Sequence, residues 1–247
     1  MARHRYGPHR DQHGTLRLPA AGGPHPVAVL LHGGSWRSRY GKIVVAPLAR
    51  DLRRRGWASW NLEYRRVGRR SGGGWRRTGE DVLAGIDLLA ALDAPLDLGR
   101  VVVIGHSAGG QLALWSAAER GAEQGPVRIA AVVGQAAPSD LERSARHGAP
   151  TIERFMGGPP DAVPEHYRDA SPVERLPLGV PTLLVHGDAD RIVGFGTSKR
   201  YADAARAAGD DITLAKIEDA GHQAHLNPRG EAWAAALEWL APWGPPA

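Results

Sequence analysis

Val101-Val102-Val103-Ile104 runs directly into Gly105-His106-Ser107-Ala108-Gly109, and the alanine-rich stretch Ala108–Arg120 follows. The first four residues are all β-branched, which suits a strand buried on both faces of a parallel sheet. The alanine-rich stretch reads as a helix. Between them a Gly-x-Ser-x-Gly pattern occupies a strand-to-helix turn. Such a turn lifts the Ser107 hydroxyl above the sheet edge. Glycines two residues to either side let the backbone fold back on itself, and the helix N-terminus aims free N–H groups at the site. The plain alternative is a serine in an ordinary glycine-rich turn. A strand before and a helix after favour a nucleophile.

Outward from this turn, short apolar runs alternate with helical patterns. Residues 27–31, 57–62, 129–133, 182–185 and Ile212–Ile217 read as strands. Residues 43–55, 78–92, 201–208 and 231–240 read as helices, with Thr78 as the expected N-cap of its helix. Strand–helix alternation predicts a mostly parallel sheet with helices on both faces. The 247 residues fit one domain. Before residue 27 only residues 15–18 look strand-like, so the first strands are expected to be reduced. Residues 65–77 form an Arg- and Gly-rich loop. Residues 138–177 are rich in Pro, Gly and charge, with helical signals near 138–146 and 164–167. They read as a cap or lid inserted between two sheet strands.

A second motif, His32-Gly33-Gly34-Ser35-Trp36, follows the strand at 27–31. Acyl transfer builds negative charge on a carbonyl oxygen, and backbone N–H groups aimed at that oxygen stabilise it. A glycine-rich turn allows the close approach this needs. Gly34, Ser35 and Ala108 are the expected donors of an oxyanion hole. A serine nucleophile also needs a base and an orienting acid. Beyond Ser107 the chain offers His186-Gly187-Asp188-Ala189-Asp190 and, later, Gly221-His222. Each follows a strand, and ligands in open α/β sheets bind at the carboxyl ends of strands.

Residues 32–36, Asn61-Leu62-Glu63-Tyr64-Arg65 and residues 105–110 together resemble the α/β-hydrolase superfamily, in its bacterial esterase/lipase branch. That branch includes kynurenine-formamidase-like and acyl-peptidase-like esterases. The resemblance runs from about residue 27 to the end. It implies Asp190 as the triad acid, because His-Gly-x-x-Asp-x-x-Val is matched by His186, Asp190 and Val193; Asp188 is the competitor. It implies His222 as the base, with His225 the alternative. His32, His106 and His186 are expected to hydrogen-bond locally, and His4, His9, His13 and His25 to lie at the surface. Ser35 stands where many relatives have a third glycine, which is tolerable if it needs no positive φ.

Composition narrows the remaining classes. There is no cysteine, which excludes disulfides, a thiol nucleophile and thiolate metal sites. The net charge is +5, with 31 Lys+Arg of which only Lys42, Lys199 and Lys216 are lysines. No nucleic-acid motif accompanies the arginines, so no nucleic-acid partner is expected. No stretch reaches membrane-spanning length, no signal peptide is evident, and a cytoplasmic location is the default. No metal or organic cofactor is expected. Trp36, Trp75, Phe155 and Met156 are candidate substrate contacts, with core packing as the other reading. The loop at 65–77 reads as a solvated basic loop, with steering of an anionic substrate as the competing role. The leading function is hydrolysis of a carboxylic ester of a small to medium substrate through an acyl-enzyme. An amidase such as an arylformamidase, a lyase, cyclase or acyltransferase on the same scaffold, and a non-catalytic receptor are the alternatives.

Overall fold

The strands are β1 (Ala2–Arg5), β2 (His13–Arg17), β3 (His25–Leu31), β4 (Ala58–Glu63), β5 (Leu96–His106), β6 (Ile129–Gln135), β7 (Thr182–Gly187) and β8 (Ile212–Ile217). The helices are α1 (Ala46–Arg54), α2 (Arg77–Asp87), α3 (Ala108–Arg120), α4 (Leu141–Arg146), α5 (Pro150–Met156), α6 (Pro164–Ala170), α7 (Gly196–Ala207) and α8 (Glu231–Trp239). These elements come from a computed structural model, which describes residues 1–20, 22–120 and 125–245. Among the described residues the strands form one sheet in the order β1-β2-β4-β3-β5-β6-β7-β8. β1 and β2 pair antiparallel, as do β2 and β4; every other pairing is parallel.

Strict alternation along the central strands splits the core in two. Val27, Val29 and Leu31 of β3 and Val101 and Val103 of β5 face one side, where Val82 and Ile86 of α2 and Leu112 of α3 cover them. Ala28 and Leu30, with Val102 and Ile104, face the other side, against Leu48 and Leu52 of α1 and Trp233 and Ala236 of α8. The period of two in side-chain direction makes each β-branched run serve both cores at once. Trp60, Trp115 and Trp233 are fully buried, and each indole N–H finds an acceptor: the Gly85 carbonyl, the Asp169 carbonyl and Asp51 Oδ2. Burial of so large a side chain is tolerated because the polar end is satisfied.

Several expectations need correction. The first strands are not reduced: β1 and β2 hairpin onto β4, with His13 paired to Glu63. His13 and His25 are consequently buried rather than superficial, and His4 and His9 are half-buried. Thr78 does not cap α2, which starts at Arg77; its hydroxyl donates to the Arg65 carbonyl instead. α7 begins at Gly196, ahead of the expected 201, because its buried face there is the polar Ser198. Between β6 and β7 the Pro-rich segment holds α4, α5 and α6. α5 escaped notice, although Pro150 opens it and Ile152, Phe155 and Met156 give it an apolar face at helical spacing.

Candidate active site

The site lies where the carboxyl ends of the central strands meet. β3 ends at Leu31 and runs into the His32-Gly33-Gly34 turn. β5 ends at His106, one residue before Ser107. Ser107 sits at φ 55°, a left-handed conformation that strains a non-glycine residue. Its N–H donates to the Gln135 carbonyl at 2.8 Å, and its own carbonyl accepts from Gly110 and Gln111 in the first turn of α3. The flanking glycines are required by contact. A Cβ on Gly105 would stand 2.0 Å from the Gly109 carbonyl oxygen, and one on Gly109 would stand 2.2 Å from the Leu31 carbonyl oxygen. The elbow and the turn after β3 are therefore packed backbone to backbone.

Ser107 Oγ donates to His222 Nε2 at 2.9 Å, and His222 Nδ1 donates to Asp190 Oδ2 at 2.7 Å. All three residues are nearly buried, each at 7% exposure, so the chain of bonds is shielded yet reachable from outside. Asp190 Oδ1 accepts the N–H groups of Ile192 and Val193 at 2.8 and 3.0 Å. Burial pushes the Asp190 carboxyl up, but hydrogen bonds from His186, His222 and these two amides outweigh it and hold it far below the usual carboxylate range. The competitor Asp188 instead faces Lys216 and the Asp219 amide. His225 is fully buried, and among the described residues neither ring nitrogen has a partner.

The local roles expected of three other histidines hold, with more content than the sequence suggested. His186 Nε2 donates to the Val193 carbonyl at 2.7 Å and approaches Asp190 Oδ2 at 3.2 Å. Its Nδ1 faces the Ser198 hydroxyl at 2.7 Å, so the neutral ring carries its proton on Nε2. His106 Nε2 donates to the His222 carbonyl at 2.9 Å, and burial lowers the His106 ring to about 4. His32 contacts the Gly33 carbonyl through Nδ1 and Glu63 Oε1 through Nε2, at 2.7 and 2.9 Å.

Glu63 was missed as a functional residue. It accepts from His32, from the Lys42 amide at 3.0 Å and from Arg66 Nη1 at 2.6 Å. Burial raises its carboxyl, but His32, Arg66 and the Lys42 amide pull it down to about 2. Arg66 is itself buried and also meets Asp11 at 3.0 Å. Tyr64 stacks on His32 with ring centroids 4.4 Å apart and donates its hydroxyl to the His32 carbonyl. This buried network holds the glycine turn from behind. Its signal lay in the Asn61–Arg65 motif, but the partners stand far apart in the chain.

Gly34 has φ 114° and lies against the Tyr40 ring, which a Cβ would strike. Ser35 adopts φ 51° and Trp36 φ 53°, so the condition placed on Ser35 is not met. The turn stores strain at a non-glycine residue instead. Ala108 opens α3, where backbone N–H groups have no intrahelical partner. Ser35, Ser107 and Ala108 all line a cavity of about 370 Å³. Trp36 also lines it. Trp75, Phe155 and Met156 do not; they are buried core residues. Phe155 stacks on Trp36 at 4.5 Å, and Trp75 packs edge-on against Trp115 and donates to Asp169. The arginines at 65–77 do not reach the cavity either. Arg65 forks onto Asp81 and Arg66 is buried, while Arg69, Arg70, Arg76 and Arg77 are exposed. Among the described residues, no group of three or more His, Asp or Glu converges to hold a metal ion.

A model of the prolyl oligopeptidase family matches residues 43–243. The chain belongs to that family. The matched span includes Ser107, Asp190 and His222 but not the turn at 32–36. Esterase LipC of Mycobacterium tuberculosis is 26% identical over 223 residues, which is 81% of this chain and 53% of LipC. The chain thus spans about half the length of that curated relative. A truncated carbohydrate esterase from gut microbiota superposes with TM-score 0.85 at 18% identity, over 98% of this chain and 95% of the other. The propionate-bound Est2 esterase of Thermogutta terrifontis superposes with TM-score 0.80 at 22% identity, over 100% of this chain and 96% of that one. These likenesses establish the α/β-hydrolase fold. No helix among the described residues is long and apolar enough to cross a membrane.

Proposed function

We propose that the protein is a serine hydrolase that cleaves a carboxylic ester of a small to medium substrate through an acyl-enzyme. The observation that carries this reading is the unbroken chain Ser107–His222–Asp190, whose serine lines a cavity. His222 takes the Ser107 proton as Oγ attacks the carbonyl carbon. Asp190 holds the ring in the tautomer that leaves Nε2 free to accept. The developing oxyanion is met by N–H groups of Ala108 and of the Gly34-Ser35 turn, each worth about 2.7–4 kcal/mol in a studied protease. His222 then protonates the leaving alcohol, and water releases the acid by the same steps in reverse. The segment between β6 and β7 acts as the cap. No cofactor is required by these steps. A small-molecule ester or amide is the partner, and a cytoplasmic setting is part of the same reading.

The family's description supports amide cleavage as the second reading. It uses the same side chains, so only substrate comparison separates the two. Purified protein is assayed against short p-nitrophenyl esters, N-formylkynurenine and a peptide amide. Ester turnover that vanishes in Ser107→Ala supports the first reading. A kcat/KM for either amide well above that for the esters overturns it.

A further inference from the structure

We propose that the cavity beside Ser107 is built for the short-chain acyl ester of a neutral, hydroxyl-rich alcohol about the size of one sugar ring, with His147 as a recognition residue. This rests on the serine-hydrolase reading above.

The first observation is what the wall lacks. No Asp, Glu, Lys or Arg is among the described residues lining the cavity, in a chain that is 23% charged. A charged substrate group would be drawn out of water with no counter-charge to receive it, which is strongly unfavourable. A peptide cleaved near either end brings an ammonium or a carboxylate into this space. An uncharged alcohol brings neither.

The second observation is what the wall offers. Besides Ser107, the hydroxyl residues Ser35, Ser144, Thr151 and Thr197 line it, and the Thr197 hydroxyl also accepts from Arg200 Nη2 at 3.4 Å. Ser144 donates to the Asp140 carbonyl at 2.6 Å, which leaves its oxygen the role of acceptor. His147 Nδ1 donates to the Arg143 carbonyl at 2.7 Å. With the Nδ1 proton engaged there, a neutral ring offers the Nε2 lone pair; His147 is exposed and lines both this cavity and the neighbouring one beside Asp140 and Glu142. A hydroxyl of the ligand is the natural donor to that lone pair. Gly148, at φ 86°, lets the chain turn from α4 into α5 so that His147 and Thr151 both reach the wall.

The third observation is size and shape. About 370 Å³ is near the lower end of small-molecule sites, so acyl group and alcohol must both be compact. Ile192, 68% exposed at the rim, supplies apolar surface for the C–H face of a ring, while Trp36 and Ile152, at 3% and 4% exposure, back the wall.

The test compares kcat/KM of the full chain for four acetates: p-nitrophenyl acetate, an acetylated methyl glucoside, cyclohexylmethyl acetate and acetylcholine. The glucoside is expected to exceed the hydroxyl-free ring by about tenfold, the value of one or two hydrogen bonds. Acetylcholine is expected to be the poorest. His147→Phe and Thr151→Val should each lower the glucoside-to-cyclohexyl ratio through KM for the glucoside, and His147→Gln should retain most of it. Equal turnover of the two ring acetates, or a preference that survives both substitutions together, overturns the proposal while p-nitrophenyl acetate cleavage still upholds the hydrolase. Failure of p-nitrophenyl acetate and of fluorophosphonate labelling together overturns the hydrolase reading, and this proposal with it.

Discussion

Glu63→Gln removes one negative charge from behind the glycine turn while keeping its shape. In the wild type that carboxylate meets His32 Nε2 at 2.9 Å, Arg66 Nη1 at 2.6 Å and the Lys42 amide at 3.0 Å. Two routes give its worth. Folding holds the carboxyl at about 2 in place of 4.5, which corresponds to about 3 kcal/mol. Removing one partner of a buried ion pair costs about 3–5 kcal/mol, and Arg66 keeps one carboxylate, Asp11, beside the Tyr40 carbonyl. The expected loss near neutral pH is therefore about 3 kcal/mol. The pH dependence follows from the direction of the shift. Because the folded value lies below the unfolded one, the contribution is complete above about 4.5 and disappears as pH falls through about 2. Denaturant melts of both proteins at several pH values check this. The difference should be largest near neutrality and shrink across that window. The same variant should react more slowly with a fluorophosphonate, because the turn carrying Gly34 and Ser35 keeps only a weaker, uncharged acceptor for His32. A difference below about 0.5 kcal/mol that does not vary with pH would refute the reasoning, since that is the range of ordinary surface substitutions.

Three further perturbations bear on the same site. Gly109→Ala puts a Cβ 2.2 Å from the Leu31 carbonyl oxygen, where ordinary contact starts at 3.4 Å. The elbow and the turn must separate by about 1 Å, which lowers kcat/KM by about a hundredfold; ester turnover within threefold of wild type contradicts this. Ser35→Gly relieves a left-handed serine at φ 51°. Net of the extra freedom glycine has when unfolded, it should stabilise by up to about 1 kcal/mol in a denaturant melt, and marked destabilisation would show that the side chain makes an essential contact. His225 is buried without a partner among the described residues, and its ring is lowered by burial and by the neighbouring histidines from 6.5 to about 3. The unfolded chain binds that proton first, so stability falls as pH drops through about 6.5 and on towards 3. His225→Leu should flatten this slope, and an unchanged slope would contradict it.

The catalytic candidates were legible because each is encoded locally. Ser107 lies inside a pattern whose glycines serve one turn, and Asp190 and His222 directly follow strands. The supporting network was not, because its logic is long-range. His32 and Glu63 are 31 positions apart, and Asp11 and Ser71, which share a hydrogen bond, are 60 apart. Composition likewise could not tell which arginines of the loop at 65–77 fold inward. Arg66 does so because two buried carboxylates wait for it. The aromatic candidates for substrate contact show the same limit. Trp36 and Phe155 form one stacked pair, yet only Trp36 reaches the cavity, because Phe155 lies on the inner face of α5. The antiparallel strands β1 and β2 were hidden by polarity, since they pair at the sheet edge beside β4 rather than inside the parallel core.

The central claim is that His222 and Asp190 make Ser107 the nucleophile, and intact mass followed by peptide mapping after treatment with a fluorophosphonate tests it most directly. The account predicts one adduct per chain, located on Ser107, absent in Ser107→Ala and formed far more slowly in His222→Ala. An adduct on another residue, or labelling that persists at the wild-type rate in Ser107→Ala, would contradict it.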